Sequence, residues 1–333
     1  MILDINLLPK KLSDINYFKK VDGGCELYSY NAKLQLRNEV IVIDLPGVEI
    51  ENDFCVDSRV MDMLRTLSPA DITITEKNFI IKSKKGKYSG KLISENLFEL
   101  SKEDLDYYTT VNLDSLNKAC NFTSKNDKKP VLTGVRVDNN GNIVATDSFT
   151  LYTYNYYNKE YILDGYTLPV NFISIIKSLT TDEEVNIYHN DNVAMFKLDN
   201  IKIYTRLISG GYPDVRKLIA TNGIEVVNDI DRNDIIEKVE IASKLSATGN
   251  DEKSIQIELS NNKLVAYGED NFESEIKLNC SGKIRVSNIL LTQALKSISD
   301  FDFKFKYDKN NKGIMLYLTN EKELCLVLGI KTN

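Results

Sequence analysis

The strongest local signal for a fold is the stretch KKPVLTGVRVDNNGNIVATDSFTLYTY, from Lys128 to Tyr154. Two runs of alternating apolar residues flank the segment Asn139–Asn142, which contains an Asn-Gly pair. Asn-Gly between such runs strongly indicates a β-hairpin. The hairpin is preceded by Lys128 and Lys129, and its second strand leads into the polar sequence Ala-Thr-Asp-Ser at 145–148. These two ends are therefore the first candidates for contact with a partner.

Length and composition indicate a folded protein with more than one domain. The chain has 333 residues, of which 42% are hydrophobic and 27% charged, which argues against a disordered protein. The net charge of −6 shows no overall basic excess, although an acidic chain can still carry a local basic surface. The five cysteines form no CxxC pair, so we expect a reduced, intracellular protein. We expect neither a signal peptide nor a membrane-spanning helix.

A threefold repeat runs through the chain. Each copy reads as a short strand, a helix of about two turns, and three alternating strands joined by polar turns. The helical parts are FCVDSRVMDMLRTL, YTLPVNFISIIKSL and IRVSNILLTQALKSI, and the polar residues Ser58, Asn171 and Asn288 are candidate caps. The cations near the helix ends, Arg65, Lys177 and Lys296, lie 112 and 119 positions apart. This period is too long for a solenoid unit and predicts a triplicated domain.

A second strand-and-helix unit precedes the strands of each copy. Each predicted domain therefore contains two helices packed against antiparallel sheet, which is an α+β arrangement. The polar stretches SKEDLD and ATNG interrupt the strand pattern and set the boundaries. The predicted domains span residues 1–105, 106–223 and 224–333.

Cations recur on the outward faces of the predicted helices. A single lysine on a helix is usually just part of a solvated face. The recurrence of Arg65, Lys177 and Lys296 at one repeat position instead favours a curved surface lined with positive charge. Such a surface would attract a polyanion.

Two motifs resemble the bacterial DNA polymerase III beta subunit family, the sliding clamps. The stretch from Lys129 to Asn155 resembles the signature of the middle domain, with its basic start, Leu-x-Gly and Ala-Thr-Asp. The segment RLISGGYPDVRKLI, Arg206 to Ile219, resembles a second signature. This chain has Ser-Phe-Thr-Leu at 148–151 where the family has Gly-His-Arg-Leu, lacks the Met-Pro-Met-Arg-Leu-like tail, and is short. We expect a diverged clamp, of a kind that a phage or mobile element could encode.

The resemblance implies a non-catalytic processivity factor for DNA replication. Two copies would close head-to-tail into a cytoplasmic ring around double-stranded DNA, with the helices lining the hole. Scattered cations give weak, sequence-independent attraction to phosphates, so a closed ring can stay on DNA and still slide. The residues implied in DNA contact are Lys10, Lys11, Lys19, Lys20, Arg59, Arg65, Lys118, Lys125, Lys128, Lys129, Lys177, Lys238, Lys244 and Lys296.

The resemblance also implies a pocket for short peptides from DNA polymerase, the clamp loader and other proteins. An apolar pocket with a polar rim suits aliphatic and aromatic anchors, although the same residues could simply form core between two domains. The implied pocket residues are Leu132, Thr146, Ser148, Phe149, Leu151, Pro213, Lys217, Leu218, Leu326, Leu328 and Ile330.

Ring closure would pair two exposed edge strands of different copies. One lies around residues 87–92 and the other around residues 272–278. Such edges are templates for pairing with another chain. The implied interface residues are Tyr88, Gly90, Leu245 and Phe272, and Gly90 stands where a larger residue is expected.

An enzymatic function finds little support. His189 is the single histidine and is predicted to lie in a tight turn, His-Asn-Asp-Asn, between two strands, and the sequence offers no other neighbourhood for a His-based triad. The SxxK matches at Ser115 and Ser174 lack their companion motifs. A calcium-loop match beginning at Asp229 has Asp234 where glycine is required. We therefore predict no catalysis, cofactor or metal. The alternatives are a clamp-fold decoy that binds partner peptides without encircling DNA, and a β-rich hydrolase that uses acidic residues.

Overall fold

The structure is a computed structural model that describes most of the chain in segments. The described residues are 2–3, 26–30, 33–37, 41–49, 54–57, 63, 66–67, 70–92, 105, 108–126, 128–155, 165–199, 201–219, 224–227, 231–245, 255–268, 271–307 and 313–330. The chain divides into two compact units. The first comprises residues 1–114 and 166–209, and the second comprises residues 115–165 and 210–333.

Short antiparallel strands dominate both units. The strands are β1 (Ile2–Leu3), β2 (Glu26–Tyr30), β3 (Lys33–Arg37), β4 (Ile41–Glu49), β5 (Phe54–Asp57), β6 (Ala70–Ile74), β7 (Asn78–Ser83), β8 (Gly86–Lys91), β9 (Tyr108–Asn112), β10 (Gly134–Asp138), β11 (Ile143–Thr146), β12 (Thr150–Tyr154), β13 (Gly165–Pro169), β14 (Glu184–His189), β15 (Val193–Leu198), β16 (Ile201–Arg206), β17 (Ile224–Val227), β18 (Gln256–Ser260), β19 (Lys263–Tyr267), β20 (Phe272–Glu275), β21 (Ile284–Ser287), β22 (Asp302–Tyr307), β23 (Gly313–Thr319) and β24 (Glu323–Leu328).

The described residues also form several helices. The helices are α1 (Leu113–Ala119), α2 (Val170–Leu179), α3 (Arg216–Ile219), α4 (Arg232–Leu245) and α5 (Asn288–Ser297). Two 3₁₀ turns span Cys120–Phe122 and Pro130–Thr133. In the predicted helix of the first repeat, the described residues 63, 66 and 67 are helical.

The first unit contains two antiparallel sheets. One has the strand order β5-β2-β3-β4-β16-β15-β14-β9, and the other has the order β1-β6-β7-β8. In the second unit, one sheet contains the order β10-β11-β12-β24-β23-β22-β17 and the other has the order β20-β19-β18-β21. The predicted α+β fold class is confirmed. Each long sheet combines strands from two of the predicted domains, and the boundaries near residues 105 and 223 stay a prediction.

The repeat helices are amphipathic, as their spacing predicts. In α2 the buried side chains include Phe172, Ile176 and Leu179, which lie four and three positions apart, while Lys177 is exposed. This spacing places the apolar residues on one face of the helix. In α5 the buried residues Leu291, Ala294 and Leu295 form the same kind of stripe.

The predicted capping role of two polar residues is wrong. Helix α2 already begins at Val170, before Asn171, and Asn288 is the first residue of α5. Neither preceding residue, Pro169 or Ser287, makes a side-chain cap hydrogen bond. Asn288 is instead buried, and its Oδ1 accepts a hydrogen bond of 2.8 Å from Ser243 Oγ. The asparagine thus links α5 to α4. Ser58 lies outside the described residues.

The predicted hairpin is present as β10 and β11. Arg136 pairs with Val144, and Val137 pairs with Ile143. The buried Asp138 closes the turn. Its Oδ1 accepts hydrogen bonds of 2.9 Å from the backbone N–H groups of Asn140 and Asn142, and its Oδ2 accepts 2.7 Å from Asn142 Nδ2. Gly141 has φ +77°, where glycine avoids the cost that a side chain brings.

Replacing Asp138 by Ala should destabilise the second unit. Three donors would lose their acceptor, and leaving buried donors unsatisfied costs about 1–3 kcal/mol. We therefore expect a loss of about 2–3 kcal/mol in the free energy of unfolding, measured by urea denaturation. Asp302→Ala is the matched control, because Asp302 is exposed. Equal stability of the two variants would contradict the structural role of Asp138.

Candidate functional site

The candidate partner site is an apolar cluster on the long sheet of the second unit. The buried members of this apolar cluster are Val144, Leu151, Val215, Tyr317, Leu324 and Leu326, and its half-buried members are Tyr212, Leu218, Ile219, Met315 and Leu328. Leu326 pairs with Leu151 on one side and with Tyr317 on the other. Alternate residues of β24 face the same way, so Leu324, Leu326 and Leu328 supply one continuous row.

The segment from Tyr212 to Ile219 lies against this row and is held by two tyrosine hydroxyls. Tyr212 Oη accepts a hydrogen bond of 3.1 Å from the backbone N–H of Thr146. Tyr317 Oη donates a bond of 3.0 Å to the carbonyl of Leu218. Burial raises the pKa of Tyr317 to about 12, so the hydroxyl keeps its proton at neutral pH. Both tyrosines therefore fix one side of the site.

The Ala-Thr-Asp-Ser end of the hairpin forms a tight loop at the other side. Asp147 Oδ1 accepts hydrogen bonds from the backbone N–H groups of Phe149 and Thr150, at 2.8 and 2.6 Å. The backbone carbonyl of Phe149 accepts a bond of 2.9 Å from the N–H of Leu328. The loop thereby holds Phe149 next to the apolar cluster with 62% of its surface exposed. An aromatic ring in this position offers an apolar contact to a partner.

Ser148 adopts a backbone conformation that favours glycine. Its φ is +80°, which lies in the left-handed region. Serine thus occupies the position at which the resembled motif has glycine. The neighbouring bonds of Asp147 and Thr146 hold the loop in this conformation, since Thr146 Oγ1 accepts 3.2 Å from the Ser148 N–H.

Replacing Ser148 by Gly should therefore stabilise the second unit. Relief of the left-handed strain outweighs the added chain entropy by roughly 0.5–1 kcal/mol. Thermal or urea denaturation measures the gain. Ser174→Gly is the control, because Ser174 lies on an exposed position of α2, where glycine should cost about 0.5 kcal/mol relative to serine. A Ser148→Gly variant that is less stable than the parent would contradict this prediction.

The structure brings together only part of the predicted pocket. Leu151, Leu218, Leu326 and Leu328 lie in the apolar cluster. Thr146 is buried, whereas Ser148, Phe149 and Pro213 are exposed. Leu132 is buried in the 3₁₀ turn at 130–133, outside the cluster, and Ile330 is half-buried with its N–H bonded to the Arg285 carbonyl at 2.7 Å. The side chain of Lys217 lies outside the described residues.

Several members of the apolar cluster were not predicted. Leu324 and Tyr317 follow from the alternation along β24 and β23, because each lies two positions from a neighbour on the same face. Tyr212 and Val215 lie in the second motif, but only the fold shows that they pack on the sheet. The alternation of side chains along β24 and β23 was therefore the signal that could have identified Leu324 and Tyr317.

Three of the predicted DNA-contacting lysines form ion pairs within the chain. Lys118 Nζ lies 3.0 Å from Glu323 Oε1, Lys238 Nζ lies 2.6 Å from Asp234 Oδ1, and Lys296 Nζ lies 2.9 Å from Glu240 Oε1. The hydrogen bond from Lys296 and its charge lower the pKa of Glu240. These helices are therefore less cationic than their lysines alone suggest.

Other predicted cations are exposed or lie outside the description. Lys125, Lys128, Lys129, Lys177 and Lys244 are exposed, and within the described part of the chain none of them makes an ion pair. Lys10, Lys11, Lys19, Lys20, Arg59 and Arg65 lie outside the described residues. Their predicted contacts stay predictions.

The two predicted closure strands are edge strands. β8 ends the order β1-β6-β7-β8, and β20 ends the order β20-β19-β18-β21. Strand β8 carries exposed Lys87 and Lys91, whereas β20 carries exposed Glu273 and Glu275. The two edges therefore have opposite charge.

The other faces of these edges carry the predicted interface residues. Tyr88 is 37% exposed, and Phe272 is half-buried. Gly90 is covered by the ring of Phe79, because a Cβ atom at Gly90 would lie 2.5 Å from Phe79 Cε1. A larger side chain at this position would displace that ring. The side chain of Leu245 lies outside the described residues.

The described residues contain neither a group of metal ligands nor a membrane-spanning helix. No group of three or more His, Cys, Asp or Glu residues among them could hold a metal ion. None of the helices in the described segments is both long enough and apolar enough to cross a bilayer.

The prediction that His189 lies in a turn is wrong. His189 is the last residue of β14, and the centroid of its ring lies 4.0 Å from that of Tyr166. Burial lowers the pKa of His189.

Comparison with known proteins finds that this chain is similar to the DNA polymerase III beta subunits, or sliding clamps. The family model described as DNA polymerase III beta subunit, central domain, matches residues 111–214. A beta sliding clamp of Staphylococcus epidermidis is 28% identical over 255 residues, which is 70% of this chain and 66% of that protein. A beta sliding clamp of Staphylococcus aureus is 28% identical over 162 residues, 45% of this chain and 42% of that protein.

Solved structures match over nearly the whole chain. A DNA polymerase sliding clamp from Pseudomonas aeruginosa has a TM-score of 0.77 at 18% identity and covers 100% of this chain and 99% of its own. The DNA polymerase III beta chain of Streptococcus pneumoniae has a TM-score of 0.76 at 19% identity, with 100% of both chains covered. The Helicobacter pylori beta clamp bound to a DNA ligase peptide has a TM-score of 0.74 at 16% identity and 99% coverage of both. The chain therefore has the sliding clamp fold.

Proposed function

We propose that this chain, which its matches support as a diverged member of the DNA polymerase III beta subunit family, works as a DNA sliding clamp. Two copies would form a ring around duplex DNA and tether the replicative polymerase and other partners. The observation that carries the proposal is the clamp fold, which extends over 100% of the chain at a TM-score of 0.77. The family's role is that of a non-enzymatic processivity factor, so no catalytic residue is assigned.

The edge strands support ring closure between copies. The lysine edge β8 of one copy would pair with the acidic edge β20 of the other, in antiparallel orientation. Tyr88 and Phe272 would then share one face, and the lysines and glutamates the other, because side chains alternate along both strands. The interface repeats twice in a head-to-tail dimer, which closes the ring. The domain boundaries at 105 and 223 are part of this proposal.

The apolar cluster supports binding of partner peptides. It combines an apolar row on β24, an exposed aromatic ring at Phe149, and polar groups at its border. Peptide grooves of this type take aliphatic and aromatic anchors. The Helicobacter pylori relative was solved with a DNA ligase peptide, which supports the same class of ligand here. DNA polymerase and clamp loader are the other proposed partners, and the proposed location is the cytoplasm.

Retention on circular DNA tests the proposal. The protein is loaded by a bacterial clamp loader and ATP onto a nicked circle, which is then passed through a sizing column in high salt. We expect the protein to stay on the circle and to leave once the circle is cut, because a closed ring can only slide off an end. Peptide binding without retention on the circle would instead support the decoy. Protein that stays bound after the circle is cut would contradict topological binding.

A further inference from the structure

The β7–β8 hairpin carries an unusual concentration of positive charge. Residues 78–91 contain five lysines and no acidic residue, in a chain whose net charge is −6. We call residues 78–91 the lysine hairpin, and its lysines are Lys82, Lys84, Lys85, Lys87 and Lys91. All five side chains are exposed. Lys84 and Lys85 form the turn between the strands.

Comparison with the other repeats shows that this charge is specific to the first copy. The equivalent hairpin β15–β16, residues 193–206, has three cations and one acid, with Asp199 in its turn. The third hairpin β23–β24, residues 313–328, has one lysine and two glutamates. The strand lysines Lys82 and Lys87 have counterparts in Lys197 and Lys202, which pair in the same register. The turn lysines are replaced by Asp199 in the second hairpin, whereas the turn of the third has the single lysine Lys322 beside Glu321.

Among the described residues, no carboxylate lies within ion-pair distance of a lysine in the lysine hairpin, although Asp71 is the cross-strand neighbour of Lys82. In the described segments, none of its five lysines makes an ion pair, and Lys85 Nζ donates to the backbone carbonyl of Thr66 at 3.2 Å. By contrast, the helix lysines Lys118, Lys238 and Lys296 each have a carboxylate within 3.0 Å. The unscreened positive charge therefore lies on the hairpin more than on these helices.

We infer that the turn side of the lysine hairpin is a second DNA-binding surface, in which Lys82, Lys84 and Lys85 contact backbone phosphates of duplex DNA. Lysine is a flexible point charge that suits mobile, sequence-independent contact with phosphate. Protein interfaces, in contrast, are depleted in lysine and enriched in aromatic residues and arginine, and residues 82–87 contain none of these. This inference rests on the proposed function, because it takes duplex DNA as the partner.

The triple variant Lys82→Gln, Lys84→Gln, Lys85→Gln tests the inference. Binding of the full chain to a short fluorescent duplex is measured by anisotropy between about 50 and 200 mM salt. Each phosphate contact contributes about 0.9 to the slope of log affinity against log salt, so three lost contacts should reduce the slope by about 2 to 3. Affinity at the lowest salt should also fall by at least about tenfold.

The double variant Lys197→Gln, Lys202→Gln is the matched control, since these exposed lysines occupy the equivalent hairpin. We expect this control to keep the wild-type slope. An unchanged slope in the triple variant would overturn the inference and leave the clamp proposal standing, whereas wild-type protein that binds no duplex at any salt would overturn both. Two further outcomes would overturn the inference alone. One is a loss of dimer without a change in slope, and the other is lost binding to an acidic peptide with duplex binding intact.

Discussion

Reversal of the charges on either edge strand should leave the protein monomeric, and an equimolar mixture of the two variants should be dimeric. The first variant is Lys87→Glu, Lys91→Glu, and the second is Glu273→Lys, Glu275→Lys. Like charges placed opposite each other at an interface cost several kcal/mol, so each variant alone should dimerise at least about 100-fold more weakly. Analytical ultracentrifugation should then give a mass near 37.9 kDa for each variant and about twice that for the mixture.

The mixture distinguishes head-to-tail pairing of the two edges from a defect in folding. In a mixed dimer, one interface joins two unchanged edges and the other joins two reversed edges, so both are attractive. A fold defect caused by the substitutions, for example loss of the 2.7 Å pair between Lys263 and Glu273, would not be repaired by mixing. Dimers of either variant alone would show that these edges do not form the interface. Monomers in the mixture would contradict the proposed partner of each edge.

Replacing Phe149 by Ala should abolish most peptide binding without affecting stability. Phe149 is 62% exposed, so loss of its ring leaves no cavity, and its carbonyl is bonded to the N–H of Leu328 in the apolar cluster. Aromatic anchors at binding sites contribute about 2 kcal/mol or more, and we expect affinity to fall by at least about 30-fold. The free energy of unfolding should change by less than about 0.5 kcal/mol. Isothermal titration with the DNA ligase peptide type found on the Helicobacter pylori relative measures the affinity.

Two further variants distinguish a residue that contacts the peptide from one that supports the hydrophobic core. Tyr108→Ala removes an aromatic ring that is 52% exposed on β9 of the first unit, and it should leave peptide affinity unchanged. Leu151→Ala shortens a side chain that is 1% exposed and leaves a cavity in the core. It should lower the free energy of unfolding by about 2–5 kcal/mol. Equal losses of affinity in the Phe149 and Tyr108 variants would mean that Phe149 makes no specific contact with the peptide.

Local signals in the sequence were sufficient for the hairpins and the α+β class. The Asn-Gly turn, the alternation of β10 and β11, and the helical spacing of α2 depend on neighbouring residues, so they can be read directly. The sliding clamp resemblance rests on two short motifs and the threefold repeat, and the comparison with solved structures confirms the fold over the whole chain. The edge positions of β8 and β20 were also predicted correctly.

Non-local contacts could not be read in the same way. The pair between Lys118 and Glu323 joins residues 205 positions apart, and no local pattern indicates it. Asn171 and Asn288 resemble caps, but β13 and β21 run directly into their helices and leave no capping position for them. The serine at position 148 does not itself indicate a positive φ, and the glycine of the resembled motif at this position is the one signal for it. Tertiary structure determines each of these features.

The carboxylate partners of Lys118, Lys238 and Lys296 bear on how fast the ring would travel. A lysine that keeps its ion pair with a glutamate or aspartate binds each phosphate weakly. It therefore loses little binding free energy when it moves from one phosphate to the next. The energy profile along the duplex is then shallow, and thermal motion alone suffices for one-dimensional diffusion. A lining of this kind would offer little resistance to sliding. The one-dimensional diffusion constant of the ring on DNA would then depend only weakly on ionic strength.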